Sequence, residues 1–231
     1  MAHAGASPTW EKMWSAGLQK CQAFDVGDAS ATLRGALQRT NYAPRPGMTA
    51  LVPGCGRAYD ALALVKHGFD SVVAVDLAPS ACEAANLELR ESGDIGAQKV
   101  QVQCADFFEL KGQYDFVWDC TFLCALDPSV RERWAAKYLE LLAPDGKLLT
   151  CVFPICEKEG GPPFAMSVPL VRSLLEPIGF SAIEVRDSLP DDEQHRPGGT
   201  VNGAGNGGPR TAFVAWAMPA QEVATTCSPI C

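Results

Sequence analysis

A pair of glycines and four carboxylates stand at spacings that can do chemistry. Gly54-Cys55-Gly56 follows a short apolar run, and Asp60 comes four residues after it. Asp76 lies twenty positions beyond Gly56, and Asp106 and Asp119 close two further apolar runs. Glycines after a buried strand let the backbone approach a ligand and leave helix N–H groups free for an anionic group. An acid closing the next strand can accept both hydroxyls of a ribose. The pattern asks for a ligand that contains a nucleoside.

Two ligands fit. A dinucleotide wants G-x-G-x-x-G with its pyrophosphate on the helix N-terminus, but here Tyr59 replaces the third glycine and Asp60 follows. A carboxylate in that first turn repels a pyrophosphate. The acids at 106 and 119 suit a ligand with an ammonium and an exocyclic amine. S-adenosylmethionine has both, plus a sulfonium cation, so the residues favour it over a nicotinamide cofactor. Each residue also has a plain structural reading. The glycines fit a tight turn, Asp106 a turn cap, and Asp119 a buried structural acid. Trp10 and Trp14 suit core packing as well as a ligand contact. His67 precedes a helix-ending glycine and can answer the helix dipole. His195, beside Arg196 in a polar loop, is either solvated or within reach of a substrate. No G-x-S-x-G elbow supports serine chemistry.

The elements that must position these residues alternate. Ser7-Pro8-Thr9 opens a helix with an apolar face of Trp10, Met13, Trp14 and Leu18, and Asp28 can cap a second helix. Strands are expected at 48–52, 71–75, 100–104, 114–118 and 147–153. Helices are expected at 58–67, 79–90, 127–142 and 167–178. Strand-helix alternation means βαβ units and a parallel sheet with helices on both faces. Two last strands, 181–185 and 211–216, flank a polar, Gly-rich loop and can pair antiparallel at one edge. The fold expected is α/β, a doubly wound, mostly parallel seven-stranded sheet with an antiparallel edge strand. Residues 1–40 read as a helical cover, 41–218 as the sheet domain and 219–231 as a tail, one globular unit overall.

Composition narrows the partners. Of 231 residues, 47% are hydrophobic, which suits a folded domain. Nineteen Lys and Arg against 27 Asp and Glu leave a net charge of −8, which argues against a nucleic-acid partner. No apolar run is long enough for a membrane span, and the N-terminus lacks a signal-peptide pattern, so the expected setting is cytoplasmic. The ten cysteines then read as reduced thiols, and no C-x2-C pair marks a metal site.

The motifs resemble the thiopurine S-methyltransferase family, in its thiol/halide methyltransferase branch. The resemblance rests on Leu51-Val-Pro-Gly-Cys-Gly-Arg-Ala-Tyr-Asp60, Cys104-Ala-Asp-Phe-Phe108 and Trp118-Asp-Cys-Thr-Phe-Leu-Cys-Ala-Leu126. Arg131 with Trp134, Gly161-Pro-Pro-Phe164 and the stretch around His195-Arg196 add to it, from about residue 10 to 216. It implies a Rossmann-like class I methyltransferase using S-adenosylmethionine. It puts Gly54, Gly56 and Asp60, with Cys55 beside them, at the methionine end. Asp76 and Leu77 fall at the ribose, Asp106 and Phe107 at the adenine, and Asp119 beside the methyl donor. The Trp10/Trp14 helix covers the cofactor. Trp14, Phe24, Phe122, Phe164 and Arg196 line the acceptor pocket, with Cys120 and His195 as further candidates there. No catalytic residue is assigned.

The chain departs from that pattern at several positions. Ala58 stands for the usual glycine, Phe24 for a tryptophan of the thiol/halide branch, and Phe164 for a tyrosine of the plant branch. Cys120 stands where mammalian thiopurine enzymes carry arginine, and the loop 198–208 is long. Aromatic walls suit a soft nucleophile, so the reaction expected is methyl transfer to a small thiol, hydrosulfide or halide by a monomer. O- or N-methylation of a small metabolite, and cofactor binding without catalysis, are the alternatives.

Overall fold

The computed structural model describes residues 8–198 and 208–218. The tail 219–231, His3 and all of the loop 198–208 except its two ends lie outside the described residues. The strands are β1 (Thr49–Pro53), β2 (Ser71–Asp76), β3 (Val100–Cys104), β4 (Tyr114–Cys120), β5 (Leu142–Ile155), β6 (Ser181–Arg186) and β7 (Arg210–Ala217). The helices are α1 (Pro8–Ser15), α2 (Ala31–Gln38), α3 (Tyr59–His67), α4 (Pro79–Glu91), α5 (Arg131–Leu141) and α6 (Val168–Leu175).

One sheet has the order β3-β2-β1-β4-β5-β7-β6. Its first five strands are parallel, and β7 runs antiparallel between β5 and β6. The antiparallel pairing expected at that end is therefore made by β7, with β6 outside it. Strand order reverses between β1 and β4, which is where an open α/β sheet offers a crevice at its carboxyl ends.

Alternation along each strand sorts the core. Val72 and Ala74, Phe116, Trp118 and Cys120, and Leu149 and Cys151 face one layer, with α2, α3 and α4. Val73 and Val75, Val117, Leu148 and Val152 face the other, with Trp134, Tyr138 and α6.

Several boundaries move for physical reasons. α2 starts after Ser30 rather than after Asp28, whose carboxylate is held by Ala29 N–H at 2.7 Å and by Arg34 at 2.7 Å. The segment expected to be helical from Asp127 opens as a 3-10 turn, Pro128–Val130, capped by Asp127, before α5 begins. β5 extends back to Leu142, which pairs with Tyr114. Burial lowers the pKa of His67, which works against a charged role at the helix end. No described helix is long and apolar enough to cross a membrane.

Candidate active site

A cavity of about 730 Å³ opens at the carboxyl ends of the parallel strands, across the β1/β4 reversal. Its floor is the turn after β1. Gly54 and Gly56 have φ of +59° and +50°, in the left-handed region where a side chain is strained. A Cβ on Gly54 would meet the Phe122 ring at 2.7 Å, and one on Gly56 would meet Trp14 at 3.4 Å. The glycines thus fit under two aromatic rings that face the cavity. Cys55 N–H donates to the Val75 carbonyl at 3.0 Å, which ties the turn to β2. Burial and the nearby Asp76 push the Cys55 thiol well up, so it stays protonated.

Asp76 closes β2 on the same wall. Its carboxylate accepts Gly56 N–H and Ala78 N–H, each at 3.0 Å, and burial raises its pKa. Leu77 follows at the rim, 37% exposed, an apolar surface where the chain normally hides one. Asp106 caps the 3-10 turn Phe107–Glu109 by accepting Phe108 N–H at 2.9 Å, yet it also lines the cavity. Phe107 packs edge-on against Phe122 with centroids 4.9 Å apart. Asp60 reaches the wall already carrying Ser30 N–H at 2.6 Å and Trp118 Nε1–H at 2.7 Å. Burial raises its pKa too.

The N-terminal segment roofs the cavity. Glu11 of α1 accepts Ser80 N–H and Oγ–H at the start of α4. Phe24 stands edge-on to Trp10 and Trp14, at 5.3 and 5.7 Å, and all three rings line the cavity. Two residues that the sequence did not single out hold this roof down. Arg57 Nε donates to Asp25 at 2.9 Å and its Nη2 to the Leu18 carbonyl at 2.6 Å, while its guanidinium lies over Trp14. Asp25 also accepts Cys21 and Gly27 N–H, and its carbonyl accepts Gly198 N–H. Arg57 could have been suspected from its place in the glycine run. Asp25 has no sequence signal, because its partners are scattered along the chain.

Cys120, Phe122 and His195 also line the cavity. His195 is buried, its backbone N–H bonds Thr211 Oγ1 at 3.0 Å, and its Nδ1 lies 3.7 Å from Cys120 Sγ. Its Nε2 is buried and has no hydrogen-bond partner among the described residues. Contact with Cys151, then burial, pushes the Cys120 thiol well up. For His195 burial opposes charging, but Cys120 and the Asp60 carboxylate outweigh it and raise the pKa. Thr121, between Cys120 and Phe122, has φ +59°, uncommon for a β-branched residue.

Three expected contacts are not in the wall. Asp119 points into the opposite layer, where it accepts Trp134 Nε1–H at 2.8 Å, Tyr138 O–H at 2.7 Å and Leu123 N–H at 3.3 Å. It is the buried structural acid. The Phe164 ring lies under Arg131, and Pro162 and Pro163 take its place in the wall. Arg196 turns outward to Asp191 at 3.5 Å.

The model of thiopurine S-methyltransferase matches residues 6–204. The chain belongs to the thiopurine S-methyltransferase family. It is 35% identical over 185 residues to probable thiol methyltransferase 2 of Arabidopsis thaliana, covering 79% of this chain and 78% of that one. It is 32% identical over 181 residues to thiocyanate methyltransferase 1 of Brassica oleracea, covering 78% and 76%. Among solved structures, the glycopeptide N-methyltransferase MtfA complexed with S-adenosylmethionine shares the fold, with a TM-score of 0.61. That likeness covers 87% of this chain and 100% of the other, at 16% identity. In this member of the family the glycine turn and Asp76 face the cavity as the motifs imply. The Asp119, Phe164 and Arg196 positions depart from what the motifs imply.

Proposed function

We propose that this protein transfers the methyl group of S-adenosylmethionine to a small, soft nucleophile: a thiol, hydrosulfide or halide. The observation that carries the reading is a cavity lined by the Gly54–Gly56 turn, by the carboxylates Asp60 and Asp76, and by Phe122, Cys120 and His195. The cofactor would lie against the glycine turn and these carboxylates. Asp60 would face its cationic end, Asp76 and Leu77 would hold its ribose, and Asp106 and Phe107 would hold its adenine. S-adenosylmethionine, when bound, supplies an electrophilic methyl carbon on a sulfonium.

The chain's own work is then positioning. In-line displacement needs nucleophile, carbon and sulfur collinear, and holding them so can supply much of the acceleration. Trp14, Phe24 and Phe122 exclude water and offer polarizable faces to a soft acceptor. A free thiol titrates near ~8.5, so part of it must still lose a proton at neutral pH. His195, buried with an Nε2 unpartnered among the described residues, can take that proton or hold the acceptor. Asp119 acts at one remove: by holding the Leu123 N–H it shapes the turn that carries Phe122. We place the reaction in the cytoplasm, carried out by a monomer on a small molecule; the eight free described cysteines support a reducing compartment.

The test is an acceptor screen. Purified protein with methyl-labelled cofactor is offered thiols, hydrosulfide, thiocyanate, iodide, a phenol and an amine. Turnover of a sulfur or halide acceptor is expected. Turnover of the phenol or amine alone would overturn the reading, and so would tight cofactor binding with no turnover.

A further inference from the structure

Cys120 and Cys151 are register partners on the neighbouring parallel strands β4 and β5. Their side chains leave the same face of the sheet, toward the loop that carries His195. One ligand atom from each of Cys120, Cys151 and His195 falls within 4.8 Å of the others, and all three residues are buried. We propose that Cys120, Cys151 and His195 form a binding site for a thiophilic d10 metal ion, for which Zn(II) is the probe.

The geometry suits such an ion. Zinc bonds of about 2.3 Å to sulfur and about 2.0 Å to nitrogen in a tetrahedron give a sulfur-to-nitrogen edge of about 3.6 Å. Cys120 Sγ and His195 Nδ1 already stand 3.7 Å apart. The trio is held from outside by bonds that a metal would not disturb. Thr211 Oγ1 accepts the His195 N–H, and the strand ladder fixes both cysteines. Outside the trio itself, little among the described residues competes for the Cys151 sulfur, whose contact to Thr32 Oγ1 is long at 3.8 Å.

Binding balances simply. Each thiol loses its proton to solvent, and the neutral imidazole gives a lone pair. Two thiolates cancel the charge of the dication, so burying it leaves no net charge. Cys120 and His195 line the cavity and Cys151 does not. The fourth position of the tetrahedron therefore opens into the cavity, the arrangement of a site that can take an exogenous ligand. No short cysteine spacing marks this site, because its ligands come from two strands and a loop. An occupied site would fill the acceptor end. That consequence rests on the proposed function, whereas metal binding does not.

The experiment reads binding alone. Reduced, chelator-stripped full-length protein is titrated anaerobically with Co(II), followed by thiolate-to-metal charge-transfer and tetrahedral d–d absorption, and Zn(II) then displaces it. One tetrahedral equivalent is expected, weakened by at least about tenfold in Cys151→Ala and unchanged in Cys124→Ala. Should Cys151→Ala fail to fold, His195→Gln is expected to give the same loss. No tetrahedral spectrum in the wild-type protein would overturn the proposal. So would an unchanged affinity in the folded Cys151→Ala or His195→Gln variant.

Discussion

The carboxylates of Asp76 and Asp119 look alike in sequence and do opposite things in the fold. Each closes or nearly closes a parallel strand, and burial raises the pKa of each, although Asp119 is fully buried and Asp76 only half-buried. Asp76 shares its face with Ala74, on the side of the glycine turn. Asp119 follows Val117 onto the other face, into the layer of Trp134 and Tyr138. One residue of alternation separates an acid that lines the cavity from one pinned inside the packed layer. A strand end therefore predicts a ligand residue only once its parity is known.

The largest effect that can break this comparison is on stability. Asp119→Ala leaves an indole N–H, a phenol O–H and a backbone N–H buried with no acceptor. Removing one partner from such a network costs about 3–5 kcal/mol. Asp76→Ala strips two backbone donors at a wall that water can reach, so its cost is expected near ~1 kcal/mol. Urea unfolding of both variants decides it. Equal destabilisation would mean that the two acids are structural alike.

Cofactor affinity should rank them the other way. A charged acceptor for a hydroxyl is worth about 1.5–3 kcal/mol, so Asp76→Ala should weaken S-adenosylmethionine by about tenfold to a hundredfold. Asp119→Asn, which keeps an acceptor oxygen, should leave the affinity within about threefold. Calorimetry of the two proteins measures this, and unchanged affinity in Asp76→Ala would remove it from the ribose site.

Acid pulls the two roles apart with smaller effects. Both carboxylates titrate above their ordinary 3.8 because burial disfavours the charged form. The folded state then binds these protons more readily than the unfolded chain does. Their contribution to stability is complete below pH 3.8 and is lost as pH rises through the raised values. Affinity moves oppositely, since only ionised Asp76 accepts both ribose hydroxyls. From neutral pH downward, the cofactor should loosen over the same window in which these groups add stability to the fold. Asp76→Asn should flatten that affinity profile, and a profile unchanged by Asp76→Asn would assign it to another group.

The same contrast explains what the sequence made legible. The alternation of strands and helices, the glycine turn and Asp76 are local: their chemistry depends on neighbours a few residues away. Five parallel strands and the cavity position follow from such signals. Asp119 also lies at a strand end but sits on the other face, a parity carried by Val117 and Cys120 on either side of it. The roof and the acceptor end depend on long-range partners. Arg57 meets Asp25, Asp25 meets Gly198, and Cys120 meets His195 seventy-five positions later. No spacing rule links such residues. Phe164 and Arg196 failed for the same reason, since backbone runs that no local pattern encodes set where their side chains point.

The smallest expected effect tests how far the cofactor end is built by backbone alone. Ala58, buried just before α3, has φ +61°, the conformation that favours glycine. A left-handed alanine costs about 1–2 kcal/mol. Ala58→Gly removes that strain but gives up a buried methyl, worth about 0.8 kcal/mol, and adds about 0.5–1 kcal/mol of unfolded-chain entropy. The terms nearly cancel, so stability should change by less than about 0.5 kcal/mol. Since the turn keeps its hydrogen bonds to Val75 and Asp76, cofactor affinity should hold within about twofold. A clear gain in affinity would mean that the Ala58 methyl crowds the ligand, which would make this turn a side-chain site like the wall at Cys120 and His195.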